Sequence, residues 1–223
     1  MGSIAIRDRS ELEDLRYDEW RQRKLDDEMA TEIIFDDPTH TYTVNGARFP
    51  SVTEVVGMLR PESGARHDVL EYKRQLGKAV HKAIELMEGG TLDVGSLDPA
   101  IVPFVGAWSK FKAETEFAVL HSEMIVYSKK LRVAGTLDLT GMRGDLIELL
   151  DLKAVWEMGD ETAIQTAGYS MLYEELTGVK VQRRGGLQLL RDGSYRYHPY
   201  KDGNDRNVFL ACLTVHNWKA NHR

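Results

Sequence analysis

Apolar positions change their period along the chain. They recur at helical spacing through the first half, run together as in strands from residue 117, and mix both habits towards the end. Residues 10–30 read as a polar helix with Leu12, Leu15, Trp20 and Leu25 as sparse apolar positions. Residues 40–44 and 48–49 flank Asn45-Gly46, a dipeptide that tolerates the positive φ of a tight hairpin. Ser51-Val52-Thr53-Glu54 has the spacing of a capping box and opens a short helix over 52–59. The segment 60–64 breaks it, and a long helix follows over 66–87, stopped by Gly89-Gly90. A further helix is predicted over 99–115, then strands over 117–127, 131–139 and 146–155. A helix over 161–177 ends at Gly178. Strands over 181–191 and 194–200 enclose Asp192-Gly193, and a helix over 205–221 closes the pattern. Helices, a three-strand meander, a helix, two strands and a helix predict an α/β fold with a mixed central sheet flanked by helices.

Composition narrows the class. With 223 residues, 42% hydrophobic and 29% charged, the chain has the make-up of a globular domain. No apolar run approaches the ~18 residues of a membrane span, so no membrane partner is expected. The charged stretch after Met1-Gly2-Ser3 does not read as a signal peptide, and a cytoplasmic location is expected. Cys212 is the only cysteine, which excludes an internal disulfide and an iron–sulfur cluster held by four thiolates. The net charge of −6 is unevenly spread. Residues 8–37 carry 12 acids and 5 bases, so the remainder is near +1. We therefore read 1–31 as an acidic leader and 32–223 as one domain. Basic clusters in that domain are Lys129, Lys130 and Arg132; Lys180, Arg183 and Arg184; and Arg66, Lys73, Arg74, Lys78 and Lys82. Each is an ordinary solvated face or a grip for phosphate.

Two strand ends carry the candidate chemistry. Asp138 stands near the end of one apolar strand. Asp151-Leu152-Lys153 ends the next, with Asp151 and Lys153 on one face. If those strands pair, the two carboxylates converge into a hard-oxygen site suited to Mg²⁺ or Mn²⁺, with an ammonium beside it. Asp-x-Lys alone is as well explained by a surface salt bridge. Gln165 and Tyr169 share a face of the following helix. They either reach the site or satisfy each other. His81 is a candidate imidazole ligand, with Glu85 one turn on to orient its ring, or else a boundary histidine. Glu123 is a further candidate carboxylate.

Taken in order, Gly77…His81, Glu123, Gly135-Thr136-Leu137-Asp138, Asp151-Leu152-Lys153 and Gln165-x-x-x-Tyr169 resemble the RecB-like branch of the PD-(D/E)xK nucleases. The hairpin and Pro50-Ser51-Val52-Thr53 are similar to phage and mitochondrial-type exonucleases of that branch. The resemblance implies a restriction-endonuclease-like core and a divalent metal, Mg²⁺ or Mn²⁺, on His81, Asp138, Asp151 and the carbonyl of Leu152. It implies Lys153 assisting the attacking water, and Gln165 and Tyr169 lining the site and touching DNA. The expected activity is phosphodiester hydrolysis by a DNA exonuclease of phage recombination or repair. Its partners would be DNA and a single-strand annealing or single-strand-binding protein. Lys129, Lys130, Arg132, Arg183 and Arg184 are the candidate DNA contacts. A structure-specific endonuclease, or a non-catalytic DNA- or protein-binding module on the same fold, are the alternatives. Leu137 stands where the family name has proline, and the cysteines of iron–sulfur relatives are missing.

Overall fold

The computed structural model describes residues 31–60, 66–155 and 157–222. The helix read over 10–30 and the breaker positions 61–64 lie outside the described residues. The chain divides into two compact units, Met1–Phe49 and Pro50–Arg223.

In the first unit, β1 (Ile33–Asp36), β2 (Thr41–Val44) and β3 (Ala47–Phe49) form an antiparallel sheet in that order. Asn45 and Gly46 adopt φ of 49° and 75°, the left-handed pair that the β2–β3 hairpin requires. The Asn45 side chain accepts the Glu32 N–H at 2.9 Å and so fixes the start of β1. The sequence pattern missed β1, because four residues directly after a dense run of charge offer too little alternation to register.

The second unit begins with the predicted capping box. Ser51 Oγ accepts from the Glu54 N–H at 3.0 Å, and Glu54 Oε2 accepts from the Ser51 N–H at 2.7 Å. Helix α1 (Val52–Val56) then tightens into a 3₁₀ turn at Gly57–Leu59. A three-strand antiparallel meander and one antiparallel hairpin make up a five-stranded sheet. Its strands are β4 (Ala118–Ser128), β5 (Val133–Arg143), β6 (Leu146–Lys153), β7 (Arg183–Leu189) and β8 (Tyr195–Pro199). All neighbours are antiparallel except β6 and β7, which are parallel and joined by helix α4 (Glu161–Thr177).

Helices cover the sheet through two apolar clusters. One packs α2 (His67–Glu88) and α3 (Val102–Thr115) around Trp108 and Phe111 against Leu139, Leu150, Leu152, Leu187 and Leu189. The other packs α1, α4 and α5 (Asp205–Asn221) against Val126, Val133, Leu137 and Leu149. This is the mixed α/β layout expected of a restriction-endonuclease-like core. Helix α3 starts three residues later than the pattern predicts, and Pro103 sits in its first turn, where a missing N–H costs nothing.

One irregularity positions everything that follows. Leu137 and Leu139 are two apart and on a regular strand would share a face. They belong instead to opposite clusters. Strand β5 therefore turns over at Asp138. Its neighbour β4 does so opposite, at Glu123, whose φ is +50° and which the register skips between Ser122↔Leu139 and Met124↔Leu137. The register is unchanged across this pair; the bulge of β4 lies just before it, between Val119 and His121, where an extra residue re-aims the side chains that follow.

Close backbone approach elsewhere depends on glycine. A Cβ on Gly168 of α4 would stand 2.6–2.9 Å from the ring of Phe209 of α5. We expect Gly168→Ala to lower stability by ~1–3 kcal/mol, measured by urea unfolding, because the ring must move out of a packed core. An unchanged midpoint would refute this packing.

Candidate active site

Strand pairing decides where the acids go. The β5–β6 ladder ends at Leu139↔Leu150, so Asp138 and Asp151 face each other where the strands begin to part. Asp138 Oδ2 then accepts the backbone N–H of Leu152 at 2.6 Å, in place of a ladder bond. This carboxylate-for-carbonyl exchange holds the two acids together. Both are buried, Asp138 at 8% and Asp151 at 1% exposure. Lys153 lies within 2.6 Å of Asp151 Oδ2, and Gln165 of α4 donates to Asp151 Oδ1 at 2.7 Å.

His81 arrives from the fifth turn of α2. Its Nδ1 lies 3.1 Å from Glu123 Oε1 and 3.6 Å from Asp138 Oδ1, and its Nε2 lies 3.0 Å from the carbonyl oxygen of Leu152. Acceptors on both nitrogens are satisfied together only by the imidazolium. The positive φ of Glu123 is what turns its carboxylate to the ring. Glu85, the expected orienting residue, pairs with Lys82 at 2.8 Å instead, and Glu123 orients the imidazole. His81, Glu123 and Asp138 each offer a ligand atom within 4.8 Å of the others, and the Leu152 carbonyl points at the same space. Carboxylate, imidazole and carbonyl donors suit a Mg²⁺- or Mn²⁺-sized hard cation.

Crowding of charge shifts the groups. Burial disfavours the imidazolium of His81, but the carboxylates of Asp138 and Glu123 more than offset it and raise it to about 9. Burial raises Asp151 to about 6 against the pull of Lys153, and burial raises Asp138 against the pull of His81. Burial opposes charge on Lys153, yet Asp151 and Asp138 hold its ammonium above its ordinary value. Lys153 is thus a donor of charge and hydrogen bonds, not a neutral amine.

The other expected residues divide. Tyr169 is buried, and its ring fills the space a Cβ on Gly135 would take, 2.7 Å away. It packs the strand before Asp138 rather than opening to solvent. Arg184 is turned inward: its guanidinium donates to Ala163 O at 2.8 Å, Asp202 O at 3.0 Å and Asp205 Oδ2 at 2.8 Å. It ties α4 to α5 through these acceptors. Arg183 is exposed opposite Glu148, three residues and ~10 Å before Asp151 on the strand. Lys129, Lys130 and Arg132 lie at the β4–β5 hairpin turn, ~20 Å along the strand from Asp138. Neither exposed basic group adjoins the acids.

Sequence reasoning missed Tyr200. Its hydroxyl is buried beside Thr162 and lies 2.6 Å from where a Cβ on Gly186 would stand. Burial, with the Asp151 carboxylate behind it, raises the phenol well above its ordinary value. Gly185-Gly186 within a strand was the available signal, since a strand glycine often marks close approach.

No family model and no curated protein matches the chain. Among solved structures it is similar to a candidate exonuclease from Eubacterium rectale, at 11% identity and TM-score 0.47, over 75% of this chain and 77% of that one. It is also similar to an alkaline exonuclease, LHK-Exo, from Laribacter hongkongensis, at 14% identity and TM-score 0.37, over 77% and 91%. The structure of LHK-Exo with dAMP gives 15%, 0.37, 78% and 92%. These values are too low to transfer an activity, which has to be argued from the site.

The His81 shift fixes a pH dependence. A folded-state value raised from 6.5 to about 9 contributes stability that is full below 6.5 and is lost as pH rises through 9. In the presence of chelator, Tm should fall between pH 6.5 and 9, and His81→Ala should flatten that fall. An equal slope in both proteins would contradict the imidazolium assignment.

Proposed function

We propose that the protein is a divalent-metal-dependent deoxyribonuclease of the RecB-like PD-(D/E)xK type, acting as an exonuclease. The observation that carries this reading is the convergence of buried Asp138 and Asp151 at one parting of two strands, with the Lys153 ammonium 2.6 Å from Asp151. Two buried carboxylates at this separation from a cation are costly to fold around. A phosphoryl-transfer site is a reason to keep them. His81, Asp138, Asp151 and the Leu152 carbonyl would hold the ion, with Glu123 beside it. A bound divalent cation supplies Lewis-acid activation of water and neutralises a non-bridging phosphate oxygen.

The protein's own residues divide the remaining work. Asp138 accepts the Leu152 N–H, and the Leu152 carbonyl meets His81 Nε2. Gln165 locks Asp151 through Oδ1, while its own Oε1 is buried with no hydrogen-bond partner. Lys153, kept charged, orients the attacking water and stabilises negative charge developing on phosphorus-bound oxygens.

Linear duplex DNA incubated with Mn²⁺ should be degraded by the wild type. Asp151→Ala and Lys153→Ala should each lose activity by ~10³-fold or more, while their circular dichroism stays native. Equal degradation by all three proteins would refute the site. A covalently closed plasmid should survive, and its linearisation would replace the exonuclease reading with an endonuclease.

A further inference from the structure

Arg60 follows the 3₁₀ turn at Gly57–Leu59, its N–H donating to Gly57 O at 3.2 Å. The sequence pattern treats it as the first residue of a breaker. In the structure its side chain is half exposed, and its Nε lies 3.6 Å from Oε1 of Glu161, the first residue of α4. Glu161 stands one turn before Gln165 on the same face of α4, and Gln165 donates to Asp151 Oδ1 at 2.7 Å, so the Arg60–Glu161 pair flanks the site.

The other two cations there are committed. Lys153 is 2.6 Å from Asp151, and His81 is held between Glu123 and the Leu152 carbonyl. Arg60 is not committed in that way. Its contact with Glu161 is single, partly exposed and longer than the ~2.7–2.9 Å of a strong charge-assisted bond. Such a pair adds little to stability and exchanges readily. Glu161 can also release it at low cost, because a carboxylate in the first turn of a helix is favoured by the helix dipole. A guanidinium has five N–H donors in a fork that matches two phosphate oxygens.

We propose that Arg60 is a phosphate clamp: it leaves Glu161 and takes the non-bridging oxygens of a nucleic-acid backbone phosphate next to the one held at Asp138, Asp151 and Lys153. This rests on the nuclease reading above. The occupant is a polynucleotide rather than a free anion. In the metal-free protein Glu123, Asp138, Asp151 and Glu161 outnumber Arg60, Lys153 and His81, so its local field does not draw an isolated anion. A phosphate tethered to one already bound arrives at high effective concentration and needs no such field.

The test measures the anisotropy of fluorescein-labelled single- and double-stranded oligodeoxynucleotides, with Ca²⁺ in place of Mg²⁺ or Mn²⁺. Arg60→Ala should weaken binding about tenfold and reduce the slope of log affinity against log salt by about one. Arg60→Lys should recover part of the affinity, since it restores charge but not the fork. Glu161→Gln should tighten binding by freeing the guanidinium. With Mn²⁺ and linear DNA, Arg60→Ala should raise KM more than it lowers kcat. Wild-type affinity and salt slope in Arg60→Ala would overturn the clamp alone, provided the wild type cleaves DNA. A wild type that binds DNA but cleaves none with any divalent ion, while Arg60→Ala still loses affinity, would overturn the nuclease reading and keep the clamp. No DNA binding by the wild type would overturn both.

Discussion

The hydrogen bond from the Leu152 N–H to the Asp138 carboxylate is the contact on which the site depends. A backbone donor at the parting of two strands must find an acceptor, because a buried, unpaired N–H costs of order 1–3 kcal/mol. Here a side chain supplies the acceptor. The β5–β6 ladder ends after Leu139↔Leu150 without an orphan, and Asp138 is fixed across from Asp151. The carbonyl of the same residue, in the next peptide, meets His81 Nε2 at 3.0 Å. One residue thus ties three elements (β5, β6 and α2) to a single point.

The twist that makes this possible is shared between strands. β4 and β5 both turn over at the Glu123–Asp138 position, which spends a non-glycine residue at φ +50°. Strain of this kind costs roughly 1–3 kcal/mol and persists where surrounding structure enforces it. Its effect is to bring Glu123 to His81, so that three carboxylates, an imidazolium and an ammonium crowd into one buried spot. His81 is raised to about 9 because the carboxylates of Asp138 and Glu123 outweigh its burial, and Asp151 is raised to about 6 because burial outweighs the pull of Lys153. A site tuned this way favours a positive ion in the place that the imidazolium proton now serves.

Much of the fold was legible because its elements announce themselves locally. The Asn45-Gly46 hairpin, the Ser51–Glu54 capping box, the long helix up to Gly89 and the helix 161–177 stopped by Gly178 all carry end signals with a physical mechanism. Asp138, Asp151, Lys153, Gln165 and His81 were legible as types at strand ends and on helix faces. What the sequence hid is set by tertiary context. No period in the pattern shows that Leu137 and Leu139 face opposite ways. Nothing in His81-x-x-x-Glu85 shows that a glutamate 42 residues on, and not the one a turn away, meets the ring. Arg184 reads like any surface base until its carbonyl and carboxylate partners on α4 and α5 are placed around it. Arg60 carries no local signal at all. Its meaning comes from a neighbour 101 residues away.

Diffraction at the manganese absorption edge, from crystals grown with Mn²⁺, tests the central claim most directly. The account predicts an anomalous peak with Asp138 among its ligands, in the space bounded by His81, Glu123, Asp151 and the Leu152 carbonyl. A peak beyond reach of Asp138, or none at saturating Mn²⁺, would contradict it.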